Sequence, residues 1–195
     1  IWEIKIHPSK PIIGIIEAKN HASYNFYYKK LDTKDPAVKL YTSPGDQQRF
    51  MVGCRFSYSG DHLALWGGSA HVGSVIIYGG NTGEELFKDE TTHTRAIFSL
   101  RFSPDETLFA TCSVDESVRF WNSKTFKTQG QLLQHKAEVW NGEFSPDQSR
   151  FVSYTSNGEL AVWSTETKEL THAFTKHESP FAMAAFSKDG KSVMG

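Results

Sequence analysis

The stretch "FSPDETLFATCSVDESVRFWN" (Phe102–Asn122) is matched by "FSPDQSRFVSYTSNGELAVWS" (Phe144–Ser164), which has Phe-Ser-Pro-Asp, a second phenylalanine and a tryptophan at the same places. Three kinds of landmark recur at an interval of 42 residues: Phe102, Phe144 and Phe186; His93, His135 and His177; Trp121 and Trp163. Upstream, the pattern is weaker and the interval lengthens, as loop insertions would cause. A fixed period of this length indicates a chain built from repeated supersecondary units.

Each unit consists of short β-like runs separated by turn signals. "IFSLRF" and "LFATCSV" are apolar or β-branched at most positions, as strands are when neighbouring sheets cover both of their faces. Ser-Pro-Asp, Ser-Gly-Asp and Lys-Asp-Gly predict tight turns between these runs. No segment has a sustained helical period of apolar residues. The sequence therefore predicts an all-β chain with about four strands per unit.

These residues resemble the WD40 repeat, most clearly over 93–122 and 135–164, and again from residue 177 to the end. The resemblance implies a WD40-type β-propeller of four four-stranded blades plus the start of a fifth, within a larger ring. We expect one propeller segment over 1–195, with units at about 1–44, 45–90, 91–132, 133–174 and a partial 175–195. We also expect the chain to be part of a longer protein.

The resemblance also implies a structural tetrad in each complete repeat, formed by a histidine, a hydroxyl, an acidic turn residue and a tryptophan. The matching residues are His93, Thr111, Asp115 and Trp121 in one unit, and His135, Ser153, Asn157 and Trp163 in the next. Asn157 lacks the charge, so we expect a weaker network there. In the unit before them the aligned residues are Gln47, Gly68, Val72 and Tyr78, which predict no tetrad.

A histidine beside an acid and a hydroxyl is also the composition of a catalytic triad. A nucleophile is needed once, whereas this arrangement recurs with the repeat, so we predict a structural role and no enzyme activity. "GGSAHVGS" lacks the spacing of a nucleophile elbow, and we predict instead a flexible loop over Gly67–Ser74. Neither His62 nor His71 has partners at metal-ligand spacing. We expect no metal site and no cofactor.

The composition argues against a strongly charged binding surface. The chain has 22 acidic and 21 basic side chains, for a net charge of −1. A local cluster of Lys29, Lys30 and Lys34 is balanced by Asp32 and Asp35, which predicts a solvated loop. We therefore expect protein partners, no membrane and no direct binding of nucleic acid. The two cysteines lie in apolar runs, and an intracellular location, cytoplasmic or nuclear, fits this usage.

In propellers of the family that the chain resembles, partners commonly bind at the end that carries the repeat histidines. The candidate contact residues at this histidine-side rim are Arg49, Arg95, Phe98, Glu138, Trp140 and Ser179, together with Trp2. Two alternatives stay open. The aromatic residues Trp2, Phe98 and Trp140 share one register, so they either pack between blades or bind a partner. Arg95 and Glu138 either bind or form a solvated pair.

The sequence supports three functional hypotheses. The first is a non-catalytic WD-repeat scaffold that mediates protein–protein interactions within a larger intracellular complex. The second is a propeller attached to an enzyme or signalling module elsewhere in the same protein. The third is an RNA-associated assembly factor, which requires basic rim residues that these units mostly lack.

Overall fold

The fold is described from a computed structural model, which covers residues 3–20, 23–43, 50–174 and 184–194. Every element in these residues is a β-strand, and none of them forms a helix long and apolar enough to cross a membrane. The chain divides into two compact units, Ile1–Ile97 and Phe98–Gly195, referred to below as the N-terminal and C-terminal units.

The N-terminal unit contains two four-stranded antiparallel sheets, each with its strands in chain order. The first sheet comprises β1 (Glu3–Ile6), β2 (Ile12–Asn20), β3 (Ser23–Lys30) and β4 (Val38–Thr42). The second comprises β5 (Phe50–Phe56), β6 (His62–Gly68), β7 (Gly73–Gly79) and β8 (Glu85–Asp89). Because each strand pairs with the next one along the chain, short hairpin turns suffice as connections.

The C-terminal unit repeats this plan. Its first sheet comprises β9 (Ile97–Phe102), β10 (Leu108–Ser113), β11 (Ser117–Asn122) and β12 (Thr128–Gln134). Its second comprises β13 (Val139–Phe144), β14 (Arg150–Thr155), β15 (Leu160–Ser164) and β16 (Leu170–Phe174). The pair β17 (Ala185–Phe186) and β18 (Val193–Met194) begins a further sheet. The all-β prediction is confirmed, while the division into five sequence units stays a prediction.

A serine and an aspartate shape the turn between the first and second strands. The Ser103 hydroxyl donates to Asp105 at 2.7 Å and accepts from the Leu108 amide at 3.0 Å. The same pair recurs as Ser145 with Asp147 and as Ser187 with Asp189. These hydrogen bonds lower the pKa of all three carboxyl groups, and at Asp105 they outweigh the opposing effect of burial.

The apolar core of each unit lies between successive sheets. In the N-terminal unit, ten buried residues form one cluster: Ile12, Ile16, Phe26, Tyr28, Cys54, Phe56, Leu63, Leu65, Ile76 and Tyr78. In the C-terminal unit the corresponding cluster is Ala110, Cys112, Val118, Phe120, Leu133, Val139, Phe144, Phe151, Ala161 and Trp163. Burial on both faces explains why these strands are apolar at consecutive positions.

Two local features differ from a regular ladder or from expectation. β-Bulges interrupt β5 between Met51 and Gly53 and β13 between Val139 and Asn141. The loop predicted over Gly67–Ser74 is wrong in extent, because Gly67 pairs with Ser74 and Gly68 with Gly73. Only residues 69–72 form the turn, and the glycines belong to the paired strands.

Candidate binding rim and its supporting network

A buried hydrogen-bond network joins three of the four predicted residues in the last complete sheet. Trp163 Nε1 donates to Ser153 Oγ at 2.8 Å, and Ser153 Oγ lies 2.8 Å from His135 Nε2. The imidazole and indole rings meet edge to face at 5.3 Å. Because the serine oxygen accepts from the indole, its own proton is available to Nε2 of a neutral imidazole.

The Glu159 carboxylate lies beside this network, and Asn157, which the sequence predicts there, hydrogen-bonds within its own turn instead. Glu159 Oε1 lies 3.6 Å from His135 Nδ1. Asn157 instead accepts from the Thr155 hydroxyl at 2.6 Å and so shapes its own turn. Burial lowers the pKa of His135, and the nearby Glu159 carboxylate opposes that shift. The position of Glu159, two residues beyond Asn157, was the signal that the sequence analysis missed.

The preceding repeat shows the same link between tryptophan and hydroxyl. Trp121 Nε1 donates to Thr111 Oγ1 at 2.9 Å, and both side chains are buried. Asp115 accepts from the Ser117 amide at 3.1 Å and also from its hydroxyl. His93 is buried and belongs to the N-terminal unit, whereas the other three residues belong to the C-terminal unit. The complete tetrad of this repeat therefore stays a prediction.

The second sheet of the N-terminal unit uses packing where the two four-stranded sheets of the C-terminal unit use this hydrogen bond. Tyr78 pairs with Leu63 as Trp121 pairs with Phe109, so Leu65 stands at the place of Thr111. Counting back ten residues from Tyr78 aligns Gly68 with Thr111 in the sequence. The hairpin between β6 and β7 is three residues longer than the one between β10 and β11, so the aligned residue is Leu65. The Tyr78 hydroxyl is buried and has no hydrogen-bond partner in the part of the chain described.

The histidine-side rim is built in both units by main-chain hydrogen bonds. In the N-terminal unit, the Gly73 amide donates to the His93 carbonyl and the Ala96 amide to the Ser69 carbonyl. These bonds hold Arg95, which is half-buried, beside the turn between β6 and β7. In the C-terminal unit, the Ser156 amide donates to the Glu138 carbonyl at 2.9 Å, which holds Glu138 beside the turn between β14 and β15.

Trp140 is the most exposed aromatic residue among the rim candidates that the structure describes. It is the extra residue of the bulge in β13, and 37% of its surface is accessible. Phe98 occupies the same register in β9 and is half-buried. Trp140 is thus more exposed than the large core side chains, most of which are almost completely covered, and its role as a partner contact stays a prediction. Arg49, Ser179 and Trp2 lie outside the described residues.

The described residues offer neither a cluster for a metal nor a reactive thiol. They contain no group of three or more His, Cys, Asp or Glu side chains that could hold a metal ion. Cys54 and Cys112 are free and buried. Burial raises the pKa of both thiols, to about 12 at Cys112. A thiol with so high a pKa is a poor nucleophile at neutral pH.

The sheets and their networks define the class: a repeat protein assembled from four-stranded antiparallel blades. The family model described as "WD domain, G-beta repeat" matches residues 85–122. "WD repeat-containing protein 1" of Rattus norvegicus is 30% identical over 118 residues, which is 57% of this chain and 19% of that protein. The bovine (Bos taurus) "Target of rapamycin complex subunit LST8" is 45% identical over 40 residues, 20% of this chain and 12% of that protein.

A solved structure shows the same fold over most of the chain. A chain in the "Crystal Structure of Mitotic Checkpoint Complex" matches with a TM-score of 0.71 and 15% identity, over 90% of this chain and 50% of that one. Residues 85–122 of the chain therefore carry a WD40 repeat. The fold of the chain is of the WD40 β-propeller type, and the chain spans at most about a fifth of the length of the two curated relatives above.

Proposed function

We propose that this chain is a non-catalytic WD-repeat scaffold, which mediates protein–protein interactions within a larger complex in the cytoplasm or nucleus. The names of the similar proteins support this role. One similar protein is a subunit of the target of rapamycin complex, and the structural neighbour belongs to a mitotic checkpoint complex. The nearly balanced charge of the chain gives no support for a nucleic-acid surface or an anionic membrane as the partner.

The observation that carries the proposal is the exposed indole of Trp140. Bulges re-aim side chains, and they are frequent next to binding sites. Tryptophan is among the residues that contribute most to protein–protein affinity. An exposed tryptophan at a bulge, beside a rim that the main chain holds in place, is therefore suited to insert into a partner.

The buried network supports the non-catalytic part of the proposal. Ser153 has no accessible surface, and its oxygen is already occupied by the Trp163 indole and the His135 ring. A nucleophile must instead reach the reacting atom of a substrate. The network therefore acts by holding β14, β15 and the connection before β13 together.

The test is affinity capture of the full-length protein and its Trp140→Ala variant from cells, with the captured proteins quantified by mass spectrometry. We expect at least about a tenfold loss of a defined set of partners, the effect of removing a strong interface contact. Tyr58→Ala is the matched control, because Tyr58 is a 63% exposed aromatic residue in the turn before β6. Equal capture by wild type and Trp140→Ala, with both folded, would contradict the proposal.

A further inference from the structure

One contact in the C-terminal unit shows how a lysine can cover an aromatic ring of the preceding sheet. The turn between β15 and β16 places Lys168 over the ring of Phe120, with Nζ 4.6 Å from the ring centroid. The Lys168 ammonium also donates to the Thr165 carbonyl. The adjoining cleft is lined by Lys168 and not by Phe120, so the lysine covers this aromatic ring.

The N-terminal unit has the same two positions with different residues. Tyr28 stands where Phe120 does: it pairs with Gly14 of the second strand, as Phe120 pairs with Ala110. Gly83 stands where Lys168 does, in the turn between β7 and β8, with φ of +75° against +63° for Lys168. A Cβ on Gly83 would lie 3.2 Å from Tyr28 Cδ1. The N-terminal unit therefore has an aromatic ring at the place of Phe120, but a glycine in place of the lysine that covers it.

A pocket of about 320 Å³ opens beside Tyr28 in place of that cation. Val38 and Leu40 supply apolar walls, and Thr33 and Asp35 add polar groups. Tyr28 is 4% exposed, and its hydroxyl has no hydrogen-bond partner within the described residues. A buried hydroxyl without a partner is costly unless something else satisfies it.

We propose that this pocket binds a basic side chain, an arginine or lysine of a partner protein, against the face of Tyr28. The inference rests on the proposed scaffold function and names the chemistry of one contact. The aliphatic stem packs along Val38 and Leu40, as the stem of Lys168 packs beside Gly130. The cationic head interacts with the part of the Tyr28 ring that lines the pocket.

The charges around the pocket permit a cationic ligand. The Lys29 ammonium is already engaged by the Thr33 and Asp35 carbonyls. Lys30 also lines the pocket and is exposed, so its ammonium remains in solvent. Asp35 lines the pocket and Asp32 belongs to the same loop, and their carboxylates balance the charges of Lys30 and Lys34. The loop that the sequence predicts to be merely solvated thus forms one wall of a binding pocket.

The test is an NMR titration of the full-length protein, labelled with 13C in its tyrosine rings, with the peptide acetyl-Gly-Arg-Gly-amide. Acetyl-Gly-citrulline-Gly-amide is the control, because citrulline is a neutral isostere of arginine. We expect a saturable shift of the Tyr28 ring signal, assigned with Tyr28→Phe, at roughly millimolar peptide. We expect the citrulline peptide to bind at least about fivefold more weakly.

Two variants exchange glycine and lysine between the equivalent positions 83 and 168. Gly83→Lys supplies the missing cation from within the chain and should abolish the Tyr28 shift. Lys168→Gly removes the covering lysine at a position whose φ suits glycine. In this variant, labelled with 13C in its phenylalanine rings instead, we expect a new peptide-dependent shift at the Phe120 ring. The second variant keeps the test decisive if Gly83→Lys does not fold.

Equal binding of the arginine and citrulline peptides would overturn the proposal, and so would a Tyr28 shift that survives in folded Gly83→Lys. Absence of any new shift at Phe120 in Lys168→Gly would do the same. The peptide titration does not depend on cellular partners. Its failure therefore leaves the scaffold function standing, while the capture experiment with Trp140→Ala tests that function separately.

Discussion

At the scale of single residues, the buried aromatic positions differ in whether their polar atom is satisfied. The indole N–H groups of Trp121 and Trp163 each reach a hydroxyl on the neighbouring strand. The hydroxyl of Tyr78 reaches none among the described residues. Since a buried donor without a partner costs more than a typical hydrogen bond contributes, these positions should respond differently to the loss of one polar group.

Thr111→Val and Tyr78→Phe test this difference with almost no change in volume. Thr111→Val leaves the Trp121 N–H without its acceptor, so we expect the free energy of unfolding to fall by about 1–3 kcal/mol. Tyr78→Phe removes an unsatisfied group and should change that energy by less than about 1 kcal/mol. Urea unfolding followed by tryptophan fluorescence measures both. Equal losses would show that the Tyr78 hydroxyl has a partner.

The sequence could predict the residue types of the network but not the source of its carboxylate. The spacing of His135, Ser153 and Trp163 follows from the repeat, because β-strand geometry places residues of equal register on one face. Which side chain approaches the imidazole depends on how far each one reaches within the turn. The residue near His135 is Glu159, two positions after Asn157. The exposure of Trp140 was equally undetermined, since strand register does not show what a bulge does to a side chain.

At the scale of the elements, one turn position adopts a left-handed backbone in four of the turns between first and second strands. The fourth residue of the turn between the first and second strands is Gly60, Glu106, Gln148 or Gly190, with φ between 55° and 84°. Only glycine adopts this conformation without steric cost. At Gly60 there is a second constraint, because a Cβ there would overlap the ring of His7.

Exchanging residues at this position should give opposite results in two turns. Glu106→Gly relieves left-handed strain of about 1 kcal/mol, partly offset by the entropy of glycine in the unfolded chain, so we expect a gain of up to about 1 kcal/mol. Gly60→Ala adds that strain and the overlap with His7, so we expect a loss of at least about 2 kcal/mol. Thermal unfolding measures both. A stable Gly60→Ala variant would contradict the close packing around His7.

At the scale of the whole molecule, several ionisable groups act in the same direction on stability. The pKa of His135 is lowered by burial, so below pH 6.5, the ordinary value for histidine, the unfolded chain binds a proton that the folded chain resists. The contribution is complete above that pH and is lost as pH falls. Asp105, Asp147 and Asp189 also have lowered pKa values, and their contributions are present above 3.8 and lost at lower pH.

Unfolding free energies of wild type and His135→Gln at pH 8 and pH 5 test this linkage. We expect wild type to lose more stability than the variant on acidification. In wild type, residue 135 takes up a proton more readily in the unfolded chain than in the folded one, whereas glutamine does not titrate. The difference between the two proteins isolates His135 from the other seven histidines of the chain. A difference that does not change with pH would contradict the neutral, buried imidazole.

The fold at this scale was the most predictable property, and the reason is repetition. A period of 42 residues between strand and turn signals leaves few arrangements other than a series of small antiparallel sheets. The pocket beside Tyr28 was not predictable in the same way. It depends on one lysine being replaced by glycine in a turn, and on which side chain covers a ring across two sheets.

The bulge in β13 has a consequence for how such a chain can diversify. Trp140 has no partner residue in the strand ladder, and Val52 occupies the corresponding place in the bulge of β5. A residue outside the ladder can be exchanged without altering strand pairing. Under the proposed function, mutation of Trp140 can therefore alter recognition while the strand pairing of β13 remains intact, so new specificities can evolve without refolding of the sheet.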